Sequence, residues 1–144
     1  MDTLTSEKRS WNMSRIRGAN TKPELAVRSM LHRMGYRFRI SNKTLPGKPD
    51  IVLPKYRAVI FVHGCFWHRH NGCKYTYTPK SRLDFWGQKF EGNVMRDKNN
   101  LSLLKKTGWL PLVVWECEIK HNADAVLCRV SGILQRRLKN LVAT

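Results

Sequence analysis

Cys65, His70 and Cys73 fall within nine residues of one another, and Cys117 follows a later apolar run as a further thiol. Three sulfurs and one imidazole suit a tetrahedral Zn²⁺, and a set of four protein ligands with no open position is the structural kind. Cys128, by contrast, falls on an apolar helical face and reads as core. A second group of residues carries oxygen and nitrogen chemistry. Asp50 is the one acid between Leu25 and Leu83, a stretch whose other charges are all Lys or Arg. His63 and His68 flank Cys65, so a zinc there would hold both in place. A strand-borne carboxylate with a strand carbonyl beyond it suits Mg²⁺, which takes few protein ligands and keeps several waters. A neighbouring histidine with a near-neutral pKa can accept the proton of an attacking water. Together these are the requirements of metal-assisted phosphodiester hydrolysis.

Composition points to the same kind of partner. The chain has 144 residues, with 27 Lys and Arg against 10 Asp and Glu, for a formal charge of +17. Such a charge on one small domain calls for a polyanion, and nucleic acid leads. An anionic membrane surface is weaker, because no basic amphipathic helix stands out. The hydrophobic fraction of 42% is enough for a core and too high for a disordered basic tail. The longest apolar run, Ala58 to Val62, is far short of the roughly 20 residues of a membrane span. The first ten residues lack the apolar stretch of a secretory signal. The expectation is a soluble, cytoplasmic protein with reduced thiols.

The elements that must hold these residues follow from local pattern. Residues 1–20 read as a basic arm or short helix, ahead of one domain over 21–144. Thr21-Lys22-Pro23-Glu24 is a capping box with proline in the first turn. The box alone accounts for Glu24. Val27, Met30, Leu31 and Met34 then mark one helical face. Gly35 ends the helix, and Tyr36, Phe38 and Ile40 alternate with arginines as in a half-buried strand. Strands over 50–53 and 58–62 follow, divided by a Pro54 turn. Ser81 is placed to cap a short helix carrying Leu83, Phe85 and Trp86, with a longer helix from about Gln88 to Lys106. In that second helix Phe90, Val94, Asp97, Leu101 and Leu104 share one stripe, so Asp97 faces inward and needs a partner or a role. A strand over 109–115 has Pro111 near its start or on an edge. A final helix after Asn122 buries Val126, Leu127, Val130, Ile133, Leu134 and Leu138. The order α-β-β-β-α-β-α implies an α/β domain with a mixed central sheet flanked by helices.

At this point the chain resembles the very short patch repair (Vsr) endonucleases. The matching pieces are Leu45-Pro46-Gly47-Lys48-Pro49-Asp50, Val59-Ile60-Phe61-Val62-His63-Gly64-Cys65-Phe66-Trp67-His68, Phe85-Trp86, Arg96-Asp97 and Val113-Val114-Trp115-Glu116-Cys117. The resemblance implies a PD-(D/E)xK nuclease fold with a zinc-stabilised loop. It also implies Mg²⁺-dependent, strand-specific nicking of duplex DNA at a T:G mismatch left by deamination of 5-methylcytosine. Other mismatch-repair proteins are candidate partners. By position it makes Asp50 the Mg²⁺ carboxylate, His68 the general base, Glu24 a supporting acid, and His63 and Asp97 accessory groups. Cys65, His70, Cys73 and Cys117 would hold structural zinc. Phe66, Trp67 and Trp86 would form an aromatic wedge, with Arg69 beside it on the DNA. The second strand reads Phe61-Val62-His63 where the motif has an acid and a lysine, so the backbone carbonyl of Val62 would be the other Mg²⁺ ligand.

From the residues alone, Phe66 and Trp67 fit a base-step wedge and a loop-borne core equally well. A zinc-stabilised nucleic-acid-binding module without catalysis would also explain the charge, the thiols and the aromatics. It leaves Asp50 and Asp97 without a purpose. A zinc deaminase would need a His-x-Glu pair, and none occurs.

Overall fold

A computed structural model describes residues 21–40, 44–65, 68–70, 72–73 and 82–143; the arm over 1–20, Phe66 and Trp67 lie outside them. Helix α1 (Lys22–Arg33) starts where expected: Thr21 Oγ1 accepts from the Glu24 backbone N–H at 3.4 Å, and Pro23 sits in the first turn. Val27, Met30 and Leu31 are buried, but Met34 is the C-cap and stands 47% exposed. The helix closes with the Gly35 N–H on His32 O and the Tyr36 N–H on Leu31 O. Gly35 takes φ +85, which side chains rarely adopt. That closure uses Tyr36, so the strand read over 36–40 shrinks to β1 (Arg39–Ile40). Ile40 is exposed, while the Tyr36 ring is buried against Tyr56 and bonds Ser131 Oγ at 2.8 Å.

Strands β2 (Ile51–Leu53), β3 (Ala58–His63) and β4 (Leu110–Trp115) complete a sheet of order β1-β2-β3-β4. The first two pairings are antiparallel and the β3–β4 pairing is parallel. A parallel pair needs a long crossover, supplied by helix α2 (Leu83–Lys106). Residues 83–106 form one helix, not the two that the sequence suggested. Gly87 does not break it, and Trp86 stacks on Phe90 one turn on, at 5.5 Å. Ser81 lies outside the described residues. Pro111 is tolerated because β4 is an edge strand. Helix α3 (Glu116–Ala143) bends at Asn122, whose Oδ1 accepts from the Ala125 N–H at 3.1 Å and so caps the segment the sequence predicted.

Alternation along β3 assigns its neighbours. Ala58, Ile60 and Val62 pack with Val27, Met30 and Leu31 of α1 and Val126, Val130 and Leu134 of α3. Val59 and Phe61 pack on the other face with Leu104 of α2. The same period sends His63 to the α2 face, where Asp97 waits. Cys128 is exposed and not core; it lies two residues past Val126, about 200° around the helix from it. Among the described residues no helix is long and apolar enough to cross a membrane.

Candidate active site and metal centre

Asp50 enters β2 with its N–H on Ile60 O at 3.1 Å, and its Oδ2 accepts from the Val62 N–H at 2.7 Å. The sheet therefore fixes this residue at two points, one on its backbone and one on its carboxylate. The Val62 carbonyl leaves the strand on the same edge as its N–H. The Glu24 carboxyl, only 3% exposed, lies within hydrogen-bond reach of Asp50 and is held by Arg28 Nη2 at 3.2 Å. Burial, aided by the adjacent Glu24 charge, pushes the Asp50 carboxyl up to about 7, against the Val62 N–H and Arg28. Two carboxyl groups this close cannot both stay ionised without compensating charge; Arg28 supplies one cation at Glu24, which leaves Asp50 to a proton or a metal ion. The pair thus fits a divalent ion. Gly47 brings the preceding turn tight against β3 and α2: a Cβ there would meet Phe61 Cε1 at 3.0 Å and Asn100 Cβ at 3.1 Å.

His63, the residue after Val62, is buried and stacks face to face on His68, with ring centroids 3.8 Å apart and planes within 2°. Burial, then the His68 charge, pushes the His63 imidazole down to about 4, although Asp97 opposes this. His63 Nδ1 is buried with no hydrogen-bond partner. His68 Nδ1 sits 2.7 Å from Asp97 Oδ2. In the neutral tautomer that donates Nδ1–H to Asp97, Nε2 of His68 is the acceptor. The inward acid expected on the α2 stripe therefore has its partner. These groups line a cavity of about 310 Å³ together with Arg69, Lys98 and Trp115.

The thiol set also assembles. The donor atoms of Cys65, His70, Cys73 and Cys117 all lie within 4.8 Å of one another. The Cys117 N–H donates to Cys65 Sγ at 3.4 Å, and Cys117 Sγ lies 3.3 Å from His70 Nδ1. The loop closes on itself through the His70 N–H on Cys65 O and the Cys73 N–H on His70 O. Burial pushes the Cys65 thiol up to about 12 and raises Cys117 as well. Thiols so disfavoured as anions need a strong cation to ionise, and a soft donor set of this size and compactness fits Zn²⁺.

Two contributors escaped the sequence reading. Arg28 tethers Glu24, and only its i,i+4 spacing hinted at that. Trp115 lies between the clusters: it stacks on His70 at 4.2 Å and meets His63 edge-on at 5.2 Å. Nothing in its strand position distinguished it from a core residue. Trp86 is half-buried, with Phe85 edge-on at 5.2 Å, and the Arg69 guanidinium covers the Phe90 ring at 4.0 Å. Together they form a cationic aromatic ledge at the start of α2.

Residues 1–74 match the family described as DNA mismatch endonuclease Vsr. The chain is 48% identical over 141 residues to the type II nicking enzyme V.XorIIP of Xanthomonas oryzae, covering 98% of this chain and 96% of the relative. It is 47% identical over 142 residues to the type II nicking enzyme V.NmeAIP of Neisseria meningitidis, covering 98% and 99%. It is also 44% identical over 112 residues to the DNA mismatch endonuclease Vsr of Escherichia coli, covering 78% and 71%.

Proposed function

The chain belongs to the Vsr family and is a DNA endonuclease, and from that premise we propose that it nicks one strand of duplex DNA at a T:G mismatch left by 5-methylcytosine deamination, with Mg²⁺ as cofactor. Asp50 and Glu24, with the Val62 carbonyl, would hold the ion. When bound, Mg²⁺ neutralises phosphate charge and lowers the pKa of the attacking water. His68 Nε2 takes the proton of that water, and Asp97 stabilises the imidazolium that results. His63 keeps the His68 ring in plane, and its own burial keeps it neutral. Lys98 and Arg69, on the cavity wall, face the charge of the scissile phosphate.

Zn²⁺ would be held by Cys65, His70, Cys73 and Cys117, and so would lock the loop that presents His68. Phe66, Trp67 and Trp86 supply the mismatch wedge. A weak base step costs less to unstack than a matched one, which gives selectivity a physical origin. The nicked strand still has to lose its T and be refilled, so further repair proteins must follow; the setting is cytoplasmic and DNA-associated. The observation that carries this reading is the 2.7 Å pairing of His68 with Asp97 on the loop that follows Val62, whose N–H holds Asp50.

The test is a panel of labelled duplexes, each with one mismatch or none, incubated with the zinc-loaded protein with and without Mg²⁺. Nicking should be confined to the T-containing strand of the T:G duplex and should require Mg²⁺. Equal cutting of matched duplex, or full activity without divalent ions, would overturn the proposal.

A further inference from the structure

The fold sorts charge along the strand axis. The site occupies the C-terminal end of β3. Glu24 and Asp50 meet there, the three acids of α2 end at Asp97, and the three of α3 end at Asp124. Every described acid therefore lies at the level of the site or beyond it. The opposite end of the sheet is built from the turn before β3, the last turn of α2 and the last turns of α3. Arg137 ties these together, donating from Nε to Tyr56 O at 3.1 Å and from Nη2 to Gly108 O at 2.7 Å. The Leu110 N–H closes the same corner on Arg57 O at 2.8 Å.

Lys55, Arg57, Lys105, Lys106, Arg136 and Lys139 are all exposed on this pole. Among the described residues none of the six pairs with a carboxylate. At the site end, by contrast, Arg28, Lys120 and Arg129 pair with Glu24, Glu116 and Glu118. The carbonyl ends of α2 and α3 offset about half a charge each, far less than six cations. β3 spans six residues, so about 20 Å of sheet divides the pole from the site. A duplex seated on Asp50 and His68 does not need these cations.

We propose that the pole is a second DNA-binding surface, which holds a separate duplex segment by its phosphates while the site end engages the first. Lysine is depleted in protein–protein interfaces, whereas an array of cations without acids suits the regular, sequence-independent charge of DNA. The surface would let the enzyme pass from one segment to another while it searches. The proposal takes from the preceding section only that the chain acts on DNA; it needs neither the mismatch nor Mg²⁺.

The test uses two matched duplexes with different fluorophores, without divalent ions, and reads their co-diffusion on the zinc-loaded protein. Wild type should bridge them at low salt. A variant with Lys55→Gln, Lys105→Gln, Lys106→Gln and Lys139→Gln should bind one duplex as before and lose bridging. Its residual second binding step should have a log–log salt slope shallower by about 0.9 for each lost phosphate contact. Its melting curve should match wild type, since all four side chains are exposed; if it does not, the wild-type salt titration alone decides. Absence of bridging by wild type at low salt overturns the proposal. So does unchanged bridging by the variant, or an equal loss of single-duplex binding, which would make the pole part of the first interface. Binding of polyglutamate in place of a second duplex would assign the surface to an acidic protein and would also overturn it.

Discussion

The two regions able to hold metal, the thiol cluster against Trp115 and the carboxylate pair beside Val62, are built on opposite terms. The thiol cluster supplies four soft donors from one loop and one strand end, with Cys65 fully buried, and leaves no position for water. The carboxylate region supplies hard oxygens from a helix and a strand edge, and the open cavity with its paired imidazole begins one residue past Val62, on the α2 face of the sheet. The contrast teaches that donor number and softness divide the work. On the proposed reading the closed set holds a loop, and the carboxylates act with the cavity beyond Val62, which has room for water and a phosphate.

Removing zinc should produce the largest effect. Zinc binding in small sites is worth about 10–16 kcal/mol, as much as the roughly 5–15 kcal/mol that holds a whole domain together. Purified protein should carry one tightly held Zn²⁺, and Cys73→Ser should lose it together with cooperative melting. Omitting Mg²⁺ should leave a cooperative transition. A Cys73→Ser protein that melts like wild type would erase the distinction.

Next in size is His68→Ala. Loss of a general base costs about 10²- to 10⁴-fold in rate. DNA affinity and zinc content should stay constant, because the His68 side chain ligates no metal in this account. A zinc loss accompanying the rate loss would assign His68 to the thiol cluster instead.

A pH profile sharpens the comparison further. The Asp50 carboxyl is pushed up to about 7, so without Mg²⁺ its contribution to stability is full at low pH and is lost as pH rises through about 7. His63 is pushed down to about 4, so its contribution is full above its ordinary pKa and is lost as pH falls through about 4. The two oppose each other over most of the acid range. An Mg²⁺ held by Asp50 would take the place of the proton, so the rise in melting temperature on adding Mg²⁺ should grow from pH 5 to pH 8. An increment independent of pH would place the ion elsewhere.

The smallest effect is expected at Trp86→Ala, outside both regions. It should cost about 1–3 kcal/mol in the ratio of T:G to T:A binding, by analogy with base–aromatic stacking, with only a small fall in melting temperature from the lost contacts to Phe85 and Phe90. A large fall in melting temperature with an unchanged ratio would make the ring structural.

How far the sequence disclosed this depended on whether a residue's partner was local. Thr21 and Glu24 are three residues apart, so the cap was legible. Three zinc-type ligands within nine residues were legible as chemistry, and Cys117 joined them because it closes a strand. Asp97 was legible as an acid on an apolar stripe, but its partner His68 is 29 residues away, and the residues supplied only the demand for one. Trp115 stood in a family-matching piece but its role was not legible, since that comes from His70 and His63 arriving on its two sides. Cys128 was misread because a helical face was drawn one position too wide. The break expected within α2 failed because Phe85, Trp86 and Phe90 support one another along a single helix.

The most direct test of the central claim is single-turnover nicking of a T:G duplex by zinc-loaded Asp50→Asn with Mg²⁺ present. This substitution removes the charge and keeps the shape and the oxygen that accepts from the Val62 N–H. The expected result is loss of nicking, with DNA binding equal to or tighter than wild type, because a carboxylate no longer repels phosphate. Nicking by Asp50→Asn at a rate near that of wild type would contradict the assignment of Asp50 and Glu24 as the Mg²⁺ site.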